Sequence, residues 1–276
     1  MLAPQRFAEA DLHVHSEWSW DAPRGSMDAT CAQAQELGLK ALAFTEHADY
    51  SELCEGARLN VEGYLDAVDR CRKRFPGLSI LTGVELGEPH RHQMEVEAVL
   101  GRGRFDTVLG SVHSVLLSGA TLEFSELGPE PAVDPQGLMQ GYCEELVALI
   151  DSPIPFEILA HLEYPRRFWP ATWPRYESSD YRDILQEVLA AATLRGLTLE
   201  FNTTRGGSPD RCLCPAPEVL QWWREVGGTS VSFGSDAHDP TKVGAGFEVA
   251  ARLASQAGFE PSLARLGIWS KLSAST

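Results

Sequence analysis

Short apolar runs rich in β-branched residues recur along the chain: ADLHV (10–14), ALAFT (41–45), SILTGVE (79–85), DTVLGSV (106–112), EILAH (157–161), LTLEFN (197–202) and SVSFGS (230–235). Runs of that length between turn residues predict strands. Longer amphipathic stretches separate them. One predicted helix, 26–38, opens on Ser26 as N-cap and stops at Gly38, as capping chemistry favours. Another, 60–75, opens on Asn60, stops before Pro76 and carries its basic residues in the last turns, where the helix dipole favours them. Similar patterns predict helices over 136–150, 179–195, 217–226 and 243–257. Strands that alternate with helices pair in parallel through crossovers. Seven such units point to a closed (β/α) barrel, with an open doubly wound sheet as the competing α/β architecture.

Three connections are long, 116–137, 162–179 and 203–217, and each follows the C-terminal end of a predicted strand. Barrel active sites are built at that end, and long loops inside a compact domain tend to be functional.

Composition narrows the class. At 276 residues, 43% hydrophobic and 22% charged, the chain suits an enzyme-sized globule. It has no run of ~18 apolar residues, as a membrane span requires. No basic segment followed by an apolar stretch is visible in residues 1–14, so a cytoplasmic protein without membrane contact is expected. The six cysteines form no Cys-x-x-Cys pair. Cys212 and Cys214 offer two thiolates, but without a nearby His or second pair they read as reduced thiols. A net charge of −16 with no basic stripe argues against nucleic acid as a partner.

The histidines change the picture. In DLHVHS, His13 and His15 stand two apart at a strand end, so period-two alternation aims both imidazoles at one point, with Asp11 expected on the same face. Asp21 follows shortly after. His47 lies beyond the second strand, Glu85 ends the third, His113 the fourth and His161 the fifth. Asp236 and His238 follow the seventh. Singly, each reads as a polar strand terminus; together, nine donors at one end of successive strands predict a metal site. They exceed the four or so ligands of one Zn²⁺, and mixed imidazole and carboxylate donors suit Zn, Mn or Fe. His90 and His92 read as loop or helix-start residues instead.

The segments HVHS, EHAD, GVELGE, GSVH, AHLEYPRR and GSDAH, in that order, resemble the polymerase and histidinol phosphatase (PHP) superfamily. The resemblance spans about residues 10–260, and LEFNTT followed by GSDAHDPTKVGAGFEVA looks like its stand-alone histidinol-phosphatase type. It implies a distorted (β/α)7 barrel with the metal site at the C-terminal ends of the strands, and a single metallohydrolase domain over residues 1–276. It also implies three divalent ions. Carried over, one ion takes His13, His15, Glu85 and Asp236, a second shares Glu85 and adds His113 and His161, and the third takes Asp21, His47 and His238. Some relatives have histidine in place of Asp21, and phosphatase relatives often have an aromatic after the GSVH histidine, where this chain runs HSVLLSG.

The implied activity is hydrolysis of L-histidinol phosphate to L-histidinol and phosphate in histidine biosynthesis. Another small phosphorylated metabolite, or a nuclease reaction of the polymerase-associated type, is the alternative; a binding protein with a degraded site is the third reading. A phosphoryl group needs planar donors that bind two oxygens at once. Arg167 and Arg205 are expected to clamp it, with Arg166 as the alternative to Arg167. Asp236 or His238 would supply a proton to the leaving group, Glu85 would bridge two ions, and Glu88, Glu123 and Glu126 would receive the cationic groups of histidinol.

Overall fold

Along the chain come β1 (Ala10–Val14), β2 (Ala41–Ala48), β3 (Ser79–Gly87) and β4 (Thr107–Ser111), then a hairpin of β5 (Ser114–Leu117) and β6 (Ala120–Glu123). β7 (Ile158–Leu159), β8 (Thr198–Asn202), β9 (Ser230–Gly234), β10 (Phe259–Pro261) and β11 (Ile268–Lys271) follow. The structure is a computed structural model describing residues 8–54, 56–206 and 213–272. Cys212 therefore lies outside the described residues, and Cys214 is a buried thiol. The main sheet has the order β1-β2-β3-β4-β7-β8-β9-β11-β10. Pairing is parallel from β1 through β9 and antiparallel for β11 and β10. The sheet curls until the end of β9 meets β1: Asp236 N–H donates to His13 O at 2.8 Å and His15 N–H to Ala237 O at 2.9 Å.

Helices α1 (Met27–Glu36), α2 (Val61–Arg74), α3 (Gln93–Leu100), α4 (Pro135–Asp151), α5 (Arg182–Arg195), α6 (Pro217–Glu225) and α7 (Phe247–Gln256) accompany the strands. Their starts follow local chemistry. Ser26 accepts from Ala29 N–H at 3.3 Å, Asn60 from Gly63 N–H at 3.1 Å and Asp134 from Gly137 N–H at 2.8 Å; such a cap contributes about 1 kcal/mol. None of the described helices is long and apolar enough to cross a membrane.

Alternation along the strands divides their side chains between one large core and two small clusters, the second of these being Leu109, Ile158 and Ala160. Leu42 and Phe44, Ile80 and Val84, Leu199 and Phe201, and Val231 and Phe233 pack in the large cluster that also holds the helices' buried residues. Ala10, Leu12, Ala41, Ala43 and Ile268 form a small cluster with Leu81 inside the curl. The inner face of β2 then continues through Thr45 to His47, and that of β3 through Gly83 to Glu85. Polar side chains at the strand ends thus stand on an apolar floor.

Helix α3, the β5–β6 hairpin and the antiparallel strands β10 and β11 went unseen in the pattern. In α3 only Val96 is buried, too little for an apolar stripe. The β5–β6 hairpin fills the start of the long segment 116–137, turning at Ser118 and Gly119, both with positive φ. Asp11 also departs from expectation. The β1–β2 register shifts between Asp11 and Val14, so Asp11 leaves the face of His13 and His15. Its carboxylate instead accepts backbone N–H groups of Ser235 and Gly244, both at 2.9 Å.

Candidate metal centre

The strand ends bring all nine predicted donors together. Glu85 lies at the centre, 1% exposed. Its Oε2 is 3.1 Å from His13 Nε2, 3.3 Å from His15 Nε2 and 3.3 Å from His47 Nδ1. Its Oε1 is 3.2 Å from His113 Nε2 and 2.7 Å from His161 Nε2. Asp236 Oδ1 lies 3.5 Å from His15 Nε2, and Asp21 lies 2.9 Å from His238 Nε2 and 3.5 Å from His47 Nε2. His13, His15 and Glu85 could hold an ion, as could Glu85, His113 and His161, or His15, His47 and His238. His161 and Asp236 carry positive φ, a backbone state that costs energy and concentrates at functional sites.

The tautomers argue for cations here. His13 Nδ1 is 2.7 Å from Glu200 Oε1, so that nitrogen donates its proton outward. Ser19 Oγ donates to Glu46 Oε2 at 2.6 Å and accepts from His15 Nδ1 at 3.0 Å. The two Nε2 atoms, only 3.0 Å apart, are left to present lone pairs to each other and to Glu85. Neutral imidazoles and a carboxylate facing one another in this way need a cation between them, a proton or a metal ion. Asp21 Oδ1 and His47 Nδ1, both buried without a hydrogen-bond partner, point the same way. The residues fit divalent ions with imidazole and carboxylate ligands.

Mutual fields shift these groups. Burial opposes ionisation of Glu85, yet His13, His47 and His113 outweigh it and hold the carboxyl well below its ordinary range. Burial likewise opposes a charge on His13, but Glu200 and Glu85 push its pKa well up. His113 rises to about 9, Glu85 overcoming burial. His15 is lowered by burial and by His47 and His238. Asp236 is held far down, against burial, by Arg167 and His13.

Sequence reasoning missed the carboxylates behind the histidines. Glu200, 1% exposed, accepts from His13 Nδ1 with Oε1, and its Oε2 accepts from His161 N–H at 2.7 Å and Asn202 Nδ2 at 3.1 Å. Glu46 supports His15 through Ser19. Partners of this kind orient metal-binding imidazoles and fix their tautomers. The available signal was a lone Glu at an inward position of LTLEFN. Gly234 is required beside it: a Cβ there would lie 2.1 Å from Glu200 Oε1 and 2.4 Å from His13 Cβ.

The arginines divide. Arg167 reaches the cluster, but Nη1 donates to Asp236 Oδ2 at 2.6 Å and Nη2 to Asn202 Oδ1 at 2.8 Å. Arg166 does not: it donates to Leu213 O at 3.0 Å and lies over the Tyr176 ring, lining a separate cleft. The Arg166 alternative is thereby corrected, because successive positions in the turn Tyr164–Phe168 aim opposite ways. Arg205 is half-exposed, with Nε donating to Asp236 O at 2.9 Å and Nη2 2.7 Å from His238 Nδ1. It lines a cleft of about 230 Å³ with Asp21, His47, His113, Glu88 and Glu123. Glu126 is exposed and does not line the cleft. His90 pairs with Glu145 at 2.6 Å, and His92 precedes α3, so both stay outside the centre.

Comparison with known proteins follows the same lines. A family model described as the PHP domain matches residues 11–204. The chain is 26% identical over 260 residues to histidinol-phosphatase of Lactococcus lactis subsp. lactis, covering 90% of this chain and 91% of that protein. It is also 26% identical over 253 residues to a protein of Clostridium acetobutylicum named probable histidinol-phosphatase, covering 91% and 94%. The crystal structure of the Lactococcus lactis histidinol phosphate phosphatase, complexed with Zn, L-histidinol and phosphate, superposes with a TM-score of 0.76. It is 23% identical and the match covers 92% of this chain and 95% of that one, a likeness of fold.

Proposed function

The chain belongs to the PHP domain family, and from that premise we propose that it is a metal-dependent phosphomonoesterase that hydrolyses L-histidinol phosphate to L-histidinol and phosphate. We take the curled sheet as a distorted (β/α)7 barrel forming one domain, working in the cytoplasm on a small phosphorylated metabolite. The observation that carries the function is Glu85, with one carboxylate oxygen facing His13, His15 and His47 and the other facing His113 and His161. That placement supports a bridging carboxylate between two ions. In the proposed assignment one ion takes His13, His15, Glu85 and Asp236, a second Glu85, His113 and His161, and a third Asp21, His47 and His238. Zn, Mn and Fe all suit these donors.

Bound there, the ions would lower the pKa of water and neutralise phosphoryl oxygens. The chain's own groups do the rest. Arg205, on the cleft wall, turns its guanidinium toward the phosphoryl oxygens, where charge-assisted pairs are strong. Arg167 holds Asp236 in its ionised form, which suits Asp236 to serve as a ligand and to orient the attacking water by accepting a hydrogen bond from it. The proton for the departing oxygen would come from the imidazolium of His238 through Nε2, which faces Asp21 at 2.9 Å and would then not be ligating an ion.

A nuclease reaction is disfavoured by the cleft itself, which is small and lined by four carboxylates and one arginine. The deciding experiment presents the metal-reconstituted protein with a panel of phosphorylated metabolites and with single-stranded DNA. Release of phosphate from histidinol phosphate at a kcat/KM well above the rest of the panel is the expected result. Degradation of DNA with the monoesters untouched would overturn it.

A further inference from the structure

The cleft is unevenly charged. Arg205 enters it after β8, while Asp49, Glu88 and Glu123 enter from the opposite side, after β2, β3 and in β6. Among the described residues that line it there is no lysine and no second arginine. A phosphate dianion gains nothing from three carboxylates. Each has a neighbour in the fold, yet among the described residues none forms an ion pair with a lysine or arginine across the cleft. Glu88 Oε1 takes the backbone N–H groups of His113 and Ser114, which ties down the hairpin. Asp49 Oδ2 accepts from Trp20 Nε1 at 3.2 Å, while its buried Oδ1 makes no hydrogen bond and has His113 Nδ1 at 3.8 Å. A buried carboxylate oxygen without a donor is costly and calls for an explanation. Glu123, 9% exposed, sits opposite Ser114 in the hairpin register, hydrogen-bonded to Ser51 and in the field of both Glu88 and Asp49.

We propose that Glu123 and Asp49 form a cation subsite, with Glu123 the specificity-determining residue, so that the cleft selects phosphate monoesters whose leaving group carries an ammonium or imidazolium. This rests on the phosphomonoesterase reading and says which part of the substrate is recognised, and by what. Glu123 is the residue to test because Asp49 Oδ2 lies 3.2 Å from His47 Nδ1, where a change would disturb the metal donors. Burial and the neighbouring Glu88 push the Glu123 carboxyl up to about 7, a strain that a cation beside it would relieve.

Glu123→Gln is compared with the unaltered protein, both metal-loaded, on three esters: histidinol phosphate, phosphoethanolamine and a neutral alkyl phosphate. Calorimetric binding of L-histidinol is measured alongside. The variant should lose about 10–100-fold in kcat/KM on the cationic esters and a similar factor in histidinol affinity. Its rate on the neutral ester and its metal content should stay within about twofold, and Glu123→Asp should recover part of the loss. Equal losses on cationic and neutral esters would mean that Glu123 only holds the hairpin, and the subsite would be refuted. No loss on any ester, with histidinol binding unchanged, refutes it too. If phosphoethanolamine is preferred over the neutral ester while histidinol phosphate is untouched, the subsite stands and the histidinol-phosphatase reading falls. If the unaltered protein cleaves histidinol phosphate no better than the neutral ester, and binds L-histidinol weakly, the subsite falls and the phosphatase remains.

Discussion

Glu200→Gln changes one atom type and no volume, yet it should damage the metal centre. The native carboxylate serves three donors: Oε1 takes His13 Nδ1–H at 2.7 Å, and Oε2 takes His161 N–H at 2.7 Å and Asn202 Nδ2 at 3.1 Å. An amide has one acceptor oxygen. If that oxygen turns to His161 and Asn202, the new NH₂ faces His13 Nδ1 and forces the proton onto Nε2, the nitrogen that looks at Glu85 and His15. If it turns to His13, the NH₂ opposes His161 N–H, leaving a buried donor unsatisfied at about 1–3 kcal/mol. Two donors outweigh one, so the first arrangement should win. Loss of such a supporting carboxylate weakens metal binding by about 10–100-fold, equivalent to ~1.4–2.7 kcal/mol. Competition with a chromophoric chelator measures this directly, with melting curves of metal-free and metal-loaded protein as control. The variant should lose most of its metal-dependent rise in melting temperature while the metal-free protein melts within a few degrees of the original. Unchanged chelator competition would refute the reasoning. So would an equal drop in both melting temperatures, which would make Glu200 a structural residue only.

The purified protein should carry about three divalent ions per chain, and Glu85→Gln should reduce that number more than replacement of any other carboxylate here, because both of its oxygens face imidazoles; elemental analysis decides. Arg205→Met should leave metal content and melting unchanged while lowering kcat/KM by roughly 10²-fold. Arg24→Met is the control, since Arg24 is largely exposed and pairs only loosely with Asp239 at 3.3 Å; equal effects of the two would move the phosphate clamp elsewhere. Glu123, with its carboxyl near 7, is neutral below that pH and negative above it. The kcat/KM ratio between an ammonium-bearing ester and its neutral analogue, each rate referred to that ester's own dianion fraction, should therefore fall as the pH is lowered from 8 to 6. A ratio flat across that range would speak against the carboxylate.

Most of the candidate metal centre was readable from local rules. His13 and His15 share a face because strands repeat every two residues, and the end of each predicted strand fixes where His47, Glu85, His113 and His161 emerge. Helix starts at Ser26 and Asn60 are equally local, since the cap bonds reach only three residues ahead. The arginines were not readable. Arg166 and Arg167 are neighbours in YPRRF, and their opposite directions depend on the turn they occupy and on what Leu213 and Asp236 offer them.

What the sequence by itself determined was the set of strand-end donors and hence the chemistry they could perform, because strand periodicity and caps act over a few residues. The tertiary structure decided the rest. The shift of register in β1 turned Asp11 from a candidate neighbour of the histidines into a clamp on the backbone of Ser235 and Gly244. The carboxylate behind His13 comes from a residue 187 positions away, and Asp49, Glu88 and Glu123 become one side of a cleft only when three separate strand ends converge. Such meetings depend on how the sheet curls and where its register slips, quantities that arise from packing across the whole chain and leave no trace in any short window of it.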